Sequence, residues 1–140
     1  MAGDDILLPG PAPVRHRAKR PHSKSFKGAK FLFTTNVSGY QIPVFTQKGA
    51  LDGDAVGYWD PETHEICVTH PAPSPAAEAD RVLHEHLHAI SVIVLPVELR
   101  LNEMQVNALS TALIDVLTRN AELRNFLLTR IVPPVTLAQW

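Results

Sequence analysis

Residues 74–94 read SPAAEADRVLHEHLHAISVIV, and this stretch contains the clearest helix signal in the chain. Ser74 is a favourable N-cap residue, and Pro75 suits the first helical position, where a missing N–H costs nothing. Leu95 and Pro96 end the pattern, because proline disfavours a helical conformation at the residue before it. The sequence therefore predicts a helix from about residue 75 to about residue 94.

A group of polar side chains lies within this helix, in the run His84-Glu85-His86-Leu87-His88. The run fits the pattern H-E-x-x-H, and at ~100° per residue His84 and His88 lie about 40° apart on one face. Two imidazoles one turn apart can bind one tetrahedral zinc ion, and the intervening Glu85 can take a proton from a water held there. The spacing predicts a metal site with Glu85 as its general base.

The helix also has an apolar stripe, and the three site residues lie outside it. The stripe spans an arc of about 140° and consists of Val82, Leu83, Leu87, Ile90, Ile93 and Val94. We expect this stripe to face the core and His84, Glu85 and His88 to face a cleft. His86 falls inside the stripe, which predicts a core histidine that needs a hydrogen-bond partner.

A catalytic zinc site needs a third protein ligand, and several downstream or sheet residues are candidates. They are Glu98, Glu103, Asp115, and His64 or His70. Glu103 is favoured because it follows His88 by fifteen residues, which allows the first helix to end and a second to begin. Asn102 and Gln105 have the spacing of a capping box at that second helix. The alternative is that Glu103 is a first-turn glutamate that interacts favourably with the helix dipole.

The remaining elements predict an α+β domain over residues 29–130. Residues 31–35, 40–46, 56–59 and 65–68 favour strands of a small antiparallel β-sheet with a hairpin around residues 60–63. Apolar residues at helical spacing between 106 and 117, and again between 123 and 127, predict two further helices. Residues 131–140 are expected to form a C-terminal tail.

Residues 1–28 differ in composition and are expected to be a disordered basic tail. Residues 1–30 contain seven basic residues against Asp4 and Asp5, whereas the remaining chain contains six basic and twelve acidic residues. The segment is also rich in proline and lacks an apolar period, so it cannot bury enough surface to fold. Two roles are open for this segment: contact with nucleic acid or an acidic partner, or service as a solubilising arm only.

Cysteine content and hydropathy favour a cytoplasmic protein with no membrane contact. Cys67 is the single cysteine, which excludes an intramolecular disulfide and favours a reducing compartment. No apolar run approaches the ~20 residues that span a bilayer. The N-terminus also lacks the features of a signal peptide.

The HExxH helix and the segments that follow it resemble a known group of proteins. Residues 81–90 (RVLHEHLHAI), residues 101–106 (LNEMQV) and the later apolar pattern resemble small phage and prophage metallopeptidase-like proteins. These are related in pattern to the ImmA/IrrE and SprT-like gluzincin peptidases, and the resemblance covers roughly residues 40–128. It implies a minimal zincin-like domain in which His84, His88 and Glu103 bind Zn²⁺. His86 departs from the leucine or isoleucine usual at its position.

We therefore expect a zinc metallopeptidase of a phage or bacterial cell that hydrolyses a protein or peptide substrate. Tyr58, His64 and His70 are candidate donors to the transition-state oxyanion, and a strand edge at residues 64–68 is the expected docking site for an extended peptide. The alternative is a catalytically silent zincin-fold binding or assembly protein that uses its basic tail. The sequence does not indicate an oligomeric state.

Overall fold

A four-stranded sheet followed by three helices makes up residues 22–131, the part of the chain that the computed structural model describes. The strands are β1 (Lys30–Val37), β2 (Tyr40–Lys48), β3 (Gly57–Asp60) and β4 (Glu65–His70), and the helices are α1 (Pro75–Val94), α2 (Glu103–Arg119) and α3 (Ala121–Ile131). Short 3-10 helices cover Asp52–Asp54 and Val97–Leu99. The predicted α+β class is confirmed. Residues 1–21 and 132–140, and the predictions made for them, lie outside the described residues.

The sheet is mixed, with the strand order β1-β2-β4-β3. Each of the two hairpins is antiparallel, as expected, but β2 and β4 pair in parallel, with Val44 beside Ile66 and Lys48 beside His70. Strand β4 is therefore central, and the expectation of a free edge at residues 64–68 is wrong. The edge strand of the β3–β4 hairpin is β3, because β4 pairs with β2 on its other side.

The core lies between the sheet and α1. Ile42 and Val44 on β2, and Ile66 and Val68 on β4, alternate along their strands and are fully or almost fully buried against Ala89 of α1. Cys67 is also buried, and this burial raises the pKa of its thiol to about 11. The cysteine is therefore a structural thiol.

Helix α1 begins as predicted, and Val82 and Ile93 of the expected stripe pack against the core, but the face that it buries most is rotated from that stripe. The Ser74 side chain accepts a hydrogen bond from the Ala77 N–H at 3.1 Å, and Pro75 is the first helical residue. The buried residues are Glu85, Ala89 and Ser91, whereas Ile90 and Val94 of the expected stripe are exposed. The reason is that β3 and α2 pack against the polar side of α1 and enclose it.

His86 has the hydrogen-bond partners that a core histidine was expected to need. Its Nδ1 lies 2.7 Å from the Val82 carbonyl and its Nε2 lies 2.9 Å from the Thr35 hydroxyl. Because a carbonyl only accepts, Nδ1 carries the proton and Nε2 accepts from Thr35. His86 thus links α1 to β1 and takes no part in the cleft.

The connection between α1 and α2 is fixed by hydrogen bonds at both ends. The Leu101 N–H donates to the Oγ of buried Ser91 at 2.7 Å. Asn102 and Gln105 form the predicted capping box, with reciprocal bonds of 2.9 and 3.0 Å. These contacts set the position of the first residue of α2, which is Glu103. Among residues 22–131, no helix is long and apolar enough to cross a membrane.

Part of the segment assigned to the basic tail is bound to the fold. Both carboxylate oxygens of the buried Glu65 accept hydrogen bonds from residues 23–25, at distances of 2.8 to 3.2 Å. The Ser25 hydroxyl also donates to Asp60 at 2.6 Å, and the Phe26 ring packs edge-on against Tyr58. The ordered domain therefore begins before residue 29, several residues earlier than predicted.

Candidate metal site

Three side chains from two helices meet at one point in the structure. The Nε2 atoms of His84 and His88 lie 3.2 Å apart, one turn apart on α1. The carboxylate of Glu103, on the first turn of α2, lies 3.0 Å from the His84 Nε2 and 2.9 Å from the His88 Nε2. Of the candidate third ligands, Glu103 is therefore the one that lies next to both histidines in the folded chain.

The donor atoms fit a tetrahedral zinc ion. Ligand atoms of these three residues all lie within 4.8 Å of one another. Bonds of 2.0–2.2 Å arranged tetrahedrally place neighbouring donors about 3.3–3.6 Å apart, close to the separations of 2.9 to 3.2 Å found here. Two imidazoles and one carboxylate also form a donor set that zinc accepts while leaving a fourth position open.

The protonation of His88 suits a ligand. Burial lowers the pKa of His88 and the neighbouring His84 adds to this, while the charge of Glu103 and a hydrogen bond to it act in the opposite direction. The net lowering favours the neutral imidazole at pH 7, which is the form that binds a metal.

Glu85 lies beside the pair in an enclosed position, with 6% of its surface exposed. The pKa of its carboxyl is raised to about 7, first by burial and then by the charge of Glu103, while a hydrogen bond with the Trp59 backbone acts in the opposite direction. A nearby dication would favour the ionised form and lower this pKa. Glu85 is thus a protected carboxyl whose protonation state depends on the charges next to it.

Gly57 on β3 makes this position of Glu85 possible. A Cβ atom at residue 57 would lie 2.5 Å from the Glu85 Oε1 and 2.9 Å from its Cγ. Any larger residue would therefore displace the carboxylate, so the glycine is needed for close approach of strand and side chain. Nothing in the local sequence around Gly57 signals this role, because the contact joins residues of β3 and α1 that are far apart in the chain.

A cleft of about 750 Å³ surrounds these groups. The edge strand β3 forms one wall, and α1 with the start of α2 forms the other. Tyr58, a candidate oxyanion donor, is half exposed and borders the cleft. Its ring packs on Phe26, and because it alternates with Gly57 and Trp59 it lies on the sheet face opposite the one that meets α1. The other two candidates do not line the cleft: His64 lies between the rings of Tyr40 and Trp59, and His70 lies at the end of β4.

Asp80 and Arg81 line the cleft one turn before His84. The Arg81 Nη1 donates to the Thr69 carbonyl at 2.9 Å, which fixes this side chain against the end of β4. The buried Oδ1 of Asp80 has no hydrogen-bond partner within residues 22–131. Asp80 shares a helix face with His84, but its carboxylate is not hydrogen-bonded to that imidazole.

The chain matches no protein-family model, no curated protein and no solved structure. The function is therefore inferred from the geometry of the cleft and the chemistry of its side chains.

Proposed function

We propose that this protein is a zinc-dependent peptidase of the HExxH type. The observation that supports it best is that Glu103, fifteen residues beyond the motif, lies within 3.0 Å of both histidine Nε2 atoms. An HExxH sequence can occur by chance, but a chance motif gives no reason for a distant carboxylate to lie against both imidazoles. The zinc ion would be held by His84, His88 and Glu103.

The buried Glu85 supports hydrolysis over a purely structural metal site. A structural zinc site is usually closed by a fourth protein ligand, often cysteine, and it has no use for a carboxyl beside the ligands. Bound zinc supplies a Lewis acid that lowers the pKa of water and polarises a carbonyl group. Glu85 accepts the proton of the attacking water and transfers it to the leaving amine.

The position of β3 indicates how a substrate would bind. Strand β3 pairs only with β4 in the described sheet, so its other edge runs free along the cleft. An extended peptide can add to such an edge through backbone hydrogen bonds, which makes little demand on its sequence.

A cytoplasmic location is part of the proposal. The chain has a single cysteine, which is buried, and it can therefore form no intramolecular disulfide. The absence of such disulfides is usual for proteins of reducing compartments, and this supports the proposed location.

Metal content and hydrolysis test the proposal together. Wild type, His84→Ala, Glu85→Gln and the control Glu98→Gln, an exposed glutamate outside the cleft, are purified without a histidine tag. We expect about one zinc per chain in all but His84→Ala, because Glu85 is not a ligand. We expect hydrolysis of an unfolded protein substrate to fall by roughly 10²–10⁴-fold in Glu85→Gln, with no change in Glu98→Gln.

Two results would contradict the peptidase proposal. One is a folded wild type that takes up no zinc when zinc is supplied. The other is hydrolysis that persists in Glu85→Gln, because a contaminating enzyme would then be its source. Zinc bound by the wild type without hydrolysis of any peptide in a random library would favour the binding or assembly protein instead.

A further inference from the structure

The two C-terminal helices bury much less than the rest of the fold. Helix α3 has eleven residues and none of them is buried, and α2 buries only Val106 and Ser110. An isolated helix shorter than ~12–15 residues is marginal in water, and protein helices owe most of their stability to packing of an apolar face. Helix α3 therefore lacks, within residues 22–131, the packing that a helix of this length requires.

Met104, Leu128 and Ile131 are exposed without sharing one face, whereas the other five exposed large apolar residues of these helices form regular stripes. On α2 they follow the spacing i, i+4, i+7, and on α3 the spacing i, i+3, which in each case places them on one helix face. We call this set the C-terminal apolar face: Leu109, Leu113, Val116, Leu123 and Phe126, each 40 to 58% exposed. None of the five lines the cleft that contains Glu85.

The size of this face suits a stable protein interface. Five large apolar side chains at these exposures present on the order of 400 Å². A standard interface buries ~800 Å² on each partner, of which roughly 60% is apolar. The C-terminal apolar face supplies most of that apolar share, and its polar neighbours are available for the rim.

The charges next to the face suit a partner with the same charge pattern. Both signs are present along α2 and α3: Asp115 and Glu122 are acidic, Arg119, Arg124 and Arg130 are basic, and Asp115 pairs with Arg119 on the same helix. A nucleic acid or a strongly charged protein would require an excess of one sign. A two-fold arrangement instead places each patch against its own reversed copy, so that opposite charges can meet.

We propose that the C-terminal apolar face is a homodimer interface, with a second copy of this chain as its occupant. Dimer formation through α2 and α3 leaves the cleft between α1 and β3 open on each subunit. The proposal is independent of the peptidase function, because none of its residues binds the metal or faces Glu85.

Sedimentation velocity of the full chain tests the dimer, from about 1 µM to about 100 µM. We expect a dimer for the wild type. In Leu113→Glu and in Phe126→Glu, the dissociation constant is expected to rise by roughly 30-fold or more, because each variant buries an unpaired charge in the interface. The matched control is Phe33→Glu on β1, where a phenylalanine of similar exposure lies outside the face, and it is expected to remain dimeric.

Three results would overturn the proposal. They are a monomeric wild type at the highest concentration, equal dissociation of Phe33→Glu and Phe126→Glu, and a monomeric wild type that dimerises only when residues 132–140 are deleted. The last result would show that the chain's own C-terminal segment covers the face. Circular dichroism distinguishes dissociation from unfolding. A His84→Ala protein that lacks zinc but remains dimeric would separate this proposal from the peptidase proposal.

Discussion

The candidate metal site joins two regions that are packed very differently. Residues 30–94 form the sheet and α1 and contain nine of the ten buried hydrophobic residues, whereas the described chain beyond α1 contributes only Val106. The first region supplies both histidines and Glu85, and the second supplies Glu103, which is 73% exposed. Glu85 and two of the proposed ligands therefore lie in the well-packed region, while the third proposed ligand depends on a short connection.

Two matched isoleucines should show the largest contrast in stability. Ile66 on β4 is fully buried and Ile131 at the end of α3 is 72% exposed. We expect Ile66→Ala to lower the free energy of unfolding by about 2–5 kcal/mol, because it leaves a cavity in the core. Ile131→Ala should change it by no more than about 0.5 kcal/mol. Urea unfolding of both variants measures the contrast, and equal losses would show that the two regions are packed alike.

The buried carboxyl of Glu85 should make the stability of the metal-free protein depend on pH. Because the folded protein raises the pKa of Glu85 from 4.5 to about 7, the folded state favours the neutral acid. Below pH 4.5 the carboxyl is protonated in both the folded and the unfolded state, so it does not lower the stability. Above pH 7 it is ionised in both states, and the full cost of burying its charge lowers the free energy of unfolding. We expect the free energy of unfolding to fall by about 2–3 kcal/mol across this window.

Glu85→Gln is the control for this pH dependence. Its amide occupies the same site without titrating. The difference in the free energy of unfolding between the two proteins therefore measures the contribution of the carboxyl. Unfolding is followed in a chelator at pH 4.5 and at pH 7.5. A difference that does not change with pH would mean that the carboxyl is solvated in the folded protein.

Ser91→Ala should show the smallest effect on stability, and it tests the connection between α1 and α2. Ser91→Ala leaves the Leu101 N–H without its 2.7 Å acceptor, which costs about 1–2 kcal/mol of stability. Because this bond helps to place Glu103, zinc affinity should fall by roughly 10-fold. Competition with a chelating dye measures the affinity, and Ser110→Ala, a buried serine of α2 outside this connection, is the control. Unchanged affinity in Ser91→Ala would mean that Glu103 is placed without this bond.

Local patterns in the sequence predict the helices and the histidine pair well. Ser74 with Pro75, and Asn102 with Gln105, are signals contained within a few residues, and the structure has the same caps. The spacing of His84 and His88 likewise follows from helix geometry alone. These predictions succeed because each depends on contacts within one or two turns.

The features that sequence analysis missed depend on long-range packing. The parallel pairing of β2 with β4, the docking of residues 23–26 on Glu65 and the approach of Gly57 to Glu85 all join distant parts of the chain. The wheel of α1 placed Val82 and Ile93 correctly against the core, but it missed the burial of Glu85, Ala89 and Ser91 for the same reason, since β3 and α2 cover its polar side. No periodicity within one element contains this information.

The central position of β4 also sets an order for folding. Strand β3 has hydrogen-bonded partners only in β4, and the β1–β2 hairpin reaches β3 only through β4. The β1–β2 and β3–β4 hairpins can each form from local contacts, but the two hairpins can join only after residues 65–70 have left the ribosome. Because non-local parallel pairing is slow to form, we expect assembly of the β3 wall, and with it the cleft, to be a late step in folding.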